Sequence, residues 1–153
     1  MEKYKRSLSV IVPVYNEKKL LRESVTYINE FLQGSFLDYE IILIQSGSTD
    51  GSKEICDELA SQYPTVRAIH EKQRNGFGAA LKLGYQAAQK EYCWLVTVDM
   101  PFDLKYIYKA IPLLEQYDFV LSYRGSDNRS IFRKFQSLIY NFLVHINLGI
   151  KVK

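Results

Sequence analysis

Two carboxylates, Glu17 and Asp99, and a short hydroxyl- and glycine-rich run, Ser46-Gly47-Ser48-Thr49-Asp50-Gly51, each lie just past an apolar segment that reads as a β-strand. Carboxylate and hydroxyl oxygens can grip a polar ligand. Glycines at 47, 51, 76 and 78 let the backbone approach one closely. Unpaired amides at a helix start after Gly47-Ser48 can receive an anion. In open α/β sheets, ligands bind at the carboxyl ends of the strands, where the strand order reverses. The location of a ligand site can therefore be read from the chain before its chemistry.

The elements that must position these residues alternate between strand and helix, which predicts a parallel sheet covered by helices. The first strand is expected over Leu8 to Val14. Leu20, Leu21, Val25, Ile28 and Leu32 then repeat at helical spacing, and Gln33-Gly34-Ser35 is expected to stop that helix. A second strand runs from Tyr39 to Ile44. Ser48 or Asp50 can cap a helix carrying Ile55, Leu59 and Tyr63, ended by Pro64. Val66 to His70 forms a third strand, and Gly76-Phe77-Gly78 leads into a helix with Ala80, Leu81, Leu83, Tyr85 and Ala88. A fourth strand is expected over Tyr92 to Val98, a helix from Leu104 to Gln116, and a fifth strand from Phe119 to Ser122. Right-handed crossovers place the second and third strands on one side of the first and the fourth strand on the other. Glu17 and Asp99 then face each other across the switch point, with Ser46 to Ser48 nearby.

At 153 residues the chain can bury one core and reads as a single domain over 1–153. A formal charge of +3 is spread along the chain, which gives no footprint for nucleic acid. Two cysteines, Cys56 and Cys93, lack CxxC spacing; they exclude a disulfide scaffold or zinc site and fit small buried hydrophobes in a reducing cytoplasm. No run reaches the roughly 18 apolar residues of a spanning helix. Ile131, Phe135, Leu138, Ile139, Phe142 and Ile146 form an apolar stripe, expected as an amphipathic helix over about 130–148. It packs on the sheet or lies at a membrane surface. The chain stops directly after it, which reads as truncation at the C-terminus of a longer protein.

Four strings recur in this order in family 2 glycosyltransferases. They are Pro13-Val14-Tyr15-Asn16-Glu17, Gly47-Ser48-Thr49-Asp50-Gly51, Gly76-Phe77-Gly78-Ala79-Ala80-Leu81 and Val98-Asp99-Met100-Pro101-Phe102-Asp103. The chain most resembles the dolichyl- or polyprenyl-phosphate mannose and glucose synthases, from about Ser7 to about Ile150, including Tyr123-Arg124 and Arg133…Ser137…Tyr140-Asn141. The resemblance implies a Rossmann-like, three-layer GT-A fold with a mostly parallel sheet, binding a UDP- or GDP-linked sugar. Pro13, Tyr15 and Glu17 become nucleotide contacts, joined by Ser46, Gly47, Ser48, Gly76, Gly78, Thr97 and Asp99. Asp99 becomes the catalytic and metal-holding carboxylate for Mg²⁺ or Mn²⁺, which offsets charge on the departing nucleotide diphosphate. Arg124 and Arg129 become acceptor or phosphate contacts. The implied transfer inverts the sugar through an oxocarbenium-like transition state. A lipid-phosphate acceptor, already largely ionised with a second pKa of about 6, needs no strong general base. The implied setting is the cytoplasmic face of a membrane, reached through the late helix or a further C-terminal region.

Two departures from the family pattern bear on activity. Gln45-Ser46 stands where relatives carry Asp-Asp or Asn-Asp before Gly-Ser, and Thr97 takes the first position of a DxD that ends at Asp99. These departures favour, as the alternative, a degenerate nucleotide-sugar-binding module without efficient catalysis. Each residue also has a purely structural reading. Glu17 suits a helix start, Asp50 a cap or turn, Asp103 a cap for the helix at Leu104, and Gly76 and Gly78 a turn. Arg124 and Arg129 can be solvated, and His70 and His145 structural. A dinucleotide oxidoreductase is excluded because no GxGxxG follows the first strand.

Overall fold

The computed structural model describes residues 3–100, 102–122 and 139. The chain falls into two compact units, Met1–Lys109 and Ala110–Lys153. The first contains a four-stranded parallel sheet of order β3-β2-β1-β4, with β1 at Leu8–Val14, β2 at Tyr39–Ser46, β3 at Val66–Glu71 and β4 at Tyr92–Leu95. Helices α1 (Leu21–Ser35), α2 (Ser52–Gln62) and α3 (Phe77–Ala87) make the crossovers. A 3₁₀ turn over Leu104–Tyr106 precedes α4 (Ile107–Leu114). The order of the strands, all parallel, reverses between β1 and β4, as right-handed crossovers require.

The strands form where apolar residues run without a break, as expected of a sheet covered on both faces. Val10, Ile11, Val12 and Ile41 to Ile44 are fully buried. Leu21, Val25, Ile28 and Leu32 of α1, at helical spacing, are buried as well. Gly84 of α3 packs so tightly on β1 that a Cβ there would sit 2.4 Å from Ile11 Cγ2.

One buried polar cluster ties the amino-terminal edge of the sheet together. Glu40 accepts from Ser9 Oγ and the Gln89 amide, both at 2.7 Å, and from Arg67 Nη2 at 2.6 Å. Burial alone would push the Glu40 carboxyl up, but the Ser9, Gln89 and Arg67 donors together hold it below its ordinary value.

The first helix stops within Gln33-Gly34-Ser35, as expected: α1 ends at Ser35, and the Phe36 amide closes it by donating to the Leu32 carbonyl at 2.8 Å. Other boundaries differ from expectation. The fourth strand ends at Leu95, because after Val96 donates to Ile11 O the backbone turns, with Met100 N on Thr97 O at 3.0 Å. The helix expected from Leu104 splits into a 3₁₀ turn and α4, with Asp103 capping the former through Lys105 N at 2.9 Å. Residues 119–122 form no strand: Phe119 and Leu121 are 71% and 77% exposed, whereas a strand built from such a run requires burial. Cys56 is buried as expected, and burial together with the Asp57 charge pushes its thiol up to about 12. Cys93 is exposed, because β4 ends the sheet among the described residues. The expected helix over about 130–148, apart from Ile139, lies outside the described residues, as do Arg124, Arg129 and His145.

Candidate functional site

The carboxyl ends of β1, β2 and β4 open on a cleft of about 280 Å³. Its lining includes Pro13, Tyr15 and Glu17 from the end of β1, Ser46 from β2, and Thr97 and Asp99 from the turn after β4. Gly76 and Ala80 add the start of α3. Seven of the sequence-designated residues thus meet in one place. Gly47, Ser48 and Gly78 do not line it. A larger depression of about 740 Å³ flanks α1 and shares Val98 and Asp99, but it takes in none of Pro13, Tyr15, Glu17 and Ser46.

The loop after β1 is fastened to the loop after β2 by polar contacts that explain the short motifs at both. Asn16 sits in the left-handed region (φ 55°), which asparagine tolerates. Its Oδ1 accepts from Thr49 N at 2.9 Å, and its amide donates to Ser48 Oγ at 3.1 Å. Glu17 N donates to Ser52 Oγ at 3.0 Å and Lys18 N to Asp50 Oδ2 at 2.9 Å. Ser48 and Asp50 are therefore joints between loops. Asp50 Oδ1 also accepts from the amide of Ser52, the first residue of α2. The carboxylate occupies the helix end where an external anion was expected.

Gln45, at the unusual position before Ser46, is structural. With its oxygen accepting from the Ser48 and Gly47 amides (2.6 and 3.3 Å), its nitrogen meets His70 Nδ1 at 3.3 Å. His70 Nε2 then donates to Asp57 Oδ1 at 2.8 Å. This arrangement satisfies the turn after β2 and gives His70 its partners.

On the opposite side, the Thr97 hydroxyl donates to Asp99 Oδ1 at 2.6 Å. The turn that carries Asp99 is pinned from below by buried Ser24 of α1, whose hydroxyl donates to Val98 O at 2.6 Å. Burial pushes the Glu17 carboxyl above its ordinary value, and the negative charges of Asp99 and Asp50 push it the same way. The two carboxylates therefore repel each other across the cleft. Such a pair attracts a cation, and the donors present (two carboxylates and a hydroxyl) are the hard oxygens that Mg²⁺ or Mn²⁺ prefers. Among the described residues no cluster of three Asp, Glu, His or Cys side chains could hold a metal unaided. A divalent ion would fit here with one or two protein carboxylates and the rest of its shell from ligand and water.

Sequence reasoning missed Arg74. Its guanidinium lies 3.9 Å from the centroid of the Tyr15 ring and lines the cleft beside Gly76 and Phe77. It places a positive charge where an anionic ligand would lie. The only signal was its position two residues before Gly76.

The sequence model described as Glycosyl transferase family 2 matches residues 9–151. Glycosyltransferase GlyG of Streptococcus pneumoniae is 40% identical over 92 residues, covering 60% of this chain and 30% of that protein. The dolichol-phosphate mannosyltransferase of Pyrococcus furiosus is 36% identical over 107 residues, covering 70% of this chain and 28% of its own length. The chain spans about 30% of the length of these curated relatives. Among solved structures, the mannosyltransferase PcManGT of Pyrobaculum calidifontis, in complex with GDP-Man and Mn²⁺, superposes with a TM-score of 0.56. It is 28% identical, with 63% of this chain and 28% of that chain covered. Parallel sheet, helical layers and structural neighbours together make this the α/β fold of the GT-A glycosyltransferases.

Proposed function

This chain belongs to glycosyl transferase family 2, and from that premise we propose that its cleft binds a nucleotide-diphospho-sugar and delivers the sugar to a polyprenyl or dolichyl phosphate. The observation that carries the reading is the convergence of Glu17, Ser46, Thr97 and Asp99 on one cleft at the reversal of strand order. The dolichol-phosphate mannosyltransferase named among the relatives and the GDP-Man held by the structural neighbour support the substrate classes.

In this reading Tyr15 and Pro13 flank the nucleotide, Ser46 meets the base, and Gly76 admits the ligand close to the backbone. Arg74 meets the phosphates. Asp99, oriented by Thr97, would hold Mg²⁺ or Mn²⁺ with help from Glu17. When bound, that ion would offset the charge developing on the leaving diphosphate. The acceptor phosphate is ionised near neutral pH, so attack on the sugar carbon with inversion needs no strong protein base. Arg124 and Arg129 remain the proposed acceptor contacts. A lipid acceptor would put the reaction at the cytoplasmic face of a membrane. Among the described residues no helix is long and apolar enough to cross one.

A second reading, a binding module without efficient turnover, is favoured by one observation: Thr97 and Gln45-Ser46 stand where carboxylates would strengthen ion and base contacts. Calorimetry with UDP-glucose and GDP-mannose, with and without Mn²⁺, tests the main reading. Metal-dependent binding of one donor supports it, and failure of both donors with Mn²⁺ present overturns it. Adding polyprenyl phosphate and measuring released nucleoside diphosphate separates the two: binding without release leaves the module.

A further inference from the structure

Ser46 and Glu71 are register partners at the carboxyl ends of the parallel strands β2 and β3. Their side chains meet there, and the Ser46 hydroxyl donates its proton to Glu71 Oε2. Glu71 Oε1 is held in turn by Asn75 Nδ2 at 3.1 Å. Ser46 is only 5% exposed, yet it lines the cleft.

A serine hydroxyl has one proton and two lone pairs. Because Glu71 takes the proton, what Ser46 can offer the cleft is acceptor lone pairs alone, made more basic by the carboxylate behind them. The surroundings reinforce this polarity. The Gly47 and Ser48 amides are taken up by the Gln45 oxygen, and Pro13, on the cleft lining, has no amide proton. Arg74, the cationic side chain among the described lining residues, lies over the Tyr15 ring. At the β2 end of the cleft Ser46 thus presents an acceptor.

Resting on the reading of the cleft as a nucleotide site, we propose that the Glu71–Ser46 pair sets base selectivity, favouring a base whose edge presents a ring N–H. Uracil and guanine have such an edge, whereas cytosine and adenine present a bare ring nitrogen at the corresponding position. Strand spacing of roughly 4.8 Å puts Ser46 about 10 Å from the β4 side, where Asp99 lies. That separation suits a base at one end and a diphosphate at the other. Ser46 is the contact and Glu71 the positioning residue.

Titration calorimetry in Mn²⁺ with UDP, CDP, GDP and ADP tests this on the 153-residue chain. The wild type should prefer UDP to CDP, and GDP to ADP, by about tenfold or more, the effect of one mismatched buried hydrogen bond. Glu71→Ala frees the hydroxyl to turn and donate, so both preferences should fall toward unity. Adding Ser46→Asp to Glu71→Ala supplies a carboxylate acceptor directly and should restore them. The ratio is read within one preparation, so it does not depend on how much of a variant is folded. Equal weakening of UDP and CDP by Glu71→Ala, or an unchanged ratio, overturns the proposal. Binding of none of the four nucleotides would overturn the nucleotide reading itself, and this inference with it.

Discussion

Thr97 Oγ1 donates to Asp99 Oδ1 across 2.6 Å on the rim of the cleft. The threonine therefore occupies one lone pair of the carboxylate that faces Glu17, and it fixes that carboxylate's rotamer. A hydroxyl here orients Asp99 without adding charge, which limits repulsion across the cleft but also limits the pull on a cation.

Replacing Thr97 with aspartate should reverse that balance. Mn²⁺-dependent donor binding should tighten by roughly tenfold, about 1.4 kcal/mol, while the metal-free protein loses stability because three carboxylates now crowd the cleft. Asp99→Asn keeps the shape and the Thr97 contact but removes the charge, and it should weaken metal-linked binding at least about tenfold. Calorimetry with and without Mn²⁺ checks both. No response to either substitution would place the ion elsewhere.

Glu17 gives a pH dependence with a definite sign. Its folded-state pKa lies above the ordinary 4.5, through burial first and then the charges of Asp99 and Asp50. The folded protein thus retains this proton over a window in which the unfolded chain has lost it. Stability from this group is greatest below about 4.5 and falls as pH rises through that window. Glu17→Gln should therefore be more stable than wild type at neutral pH, and the advantage should vanish in acid. Urea midpoints measured from pH 4 to pH 8 without metal would show it. A constant difference across that range would mean the substitution acts through packing.

Arg74 should matter to charge and little to the fold. Its contact with Tyr15 is a cation–π pair worth about 0.5–1 kcal/mol at an exposed site. A charged contact with a phosphate is worth about 1.5–3 kcal/mol, so Arg74→Ala should weaken nucleotide diphosphate binding by roughly tenfold to a hundredfold. Binding by the variant should also depend less on salt. Unchanged affinity at low salt would exclude a phosphate role.

The strands and the site's location were legible because uninterrupted apolar runs end in loop-forming residues, and handedness then dictates which strand ends meet. Glu17, Ser46 and Asp99 follow from that geometry. Arg74 and Glu71 did not: Arg74 depends on how the stretch after β3 lies, and Glu71 on how β3 pairs with β2. The Ser46–Glu71 pairing is a matter of register, which local sequence does not encode. Residues 119–122 misled because a short apolar run looks alike whether paired or exposed.

Gly84 offers the sharpest test of how the fold supports the cleft. In a helix interior alanine is favoured over glycine by about 1 kcal/mol, so intrinsic preference predicts that Gly84→Ala stabilises α3. The structure predicts the opposite, since the added Cβ would lie 2.4 Å from Ile11 Cγ2 and 3.4 Å from Ile44 Cγ1. Relief requires α3 to move off β1 and β2, at a typical overpacking cost of about 1–3 kcal/mol. The same movement would carry Phe77 and Ala80, which line the cleft, away from Pro13 and Ser46. Gly84→Ala should thus lower the urea midpoint and weaken nucleotide binding together, whereas a midpoint equal to or above wild type would show that α3 does not pack this closely.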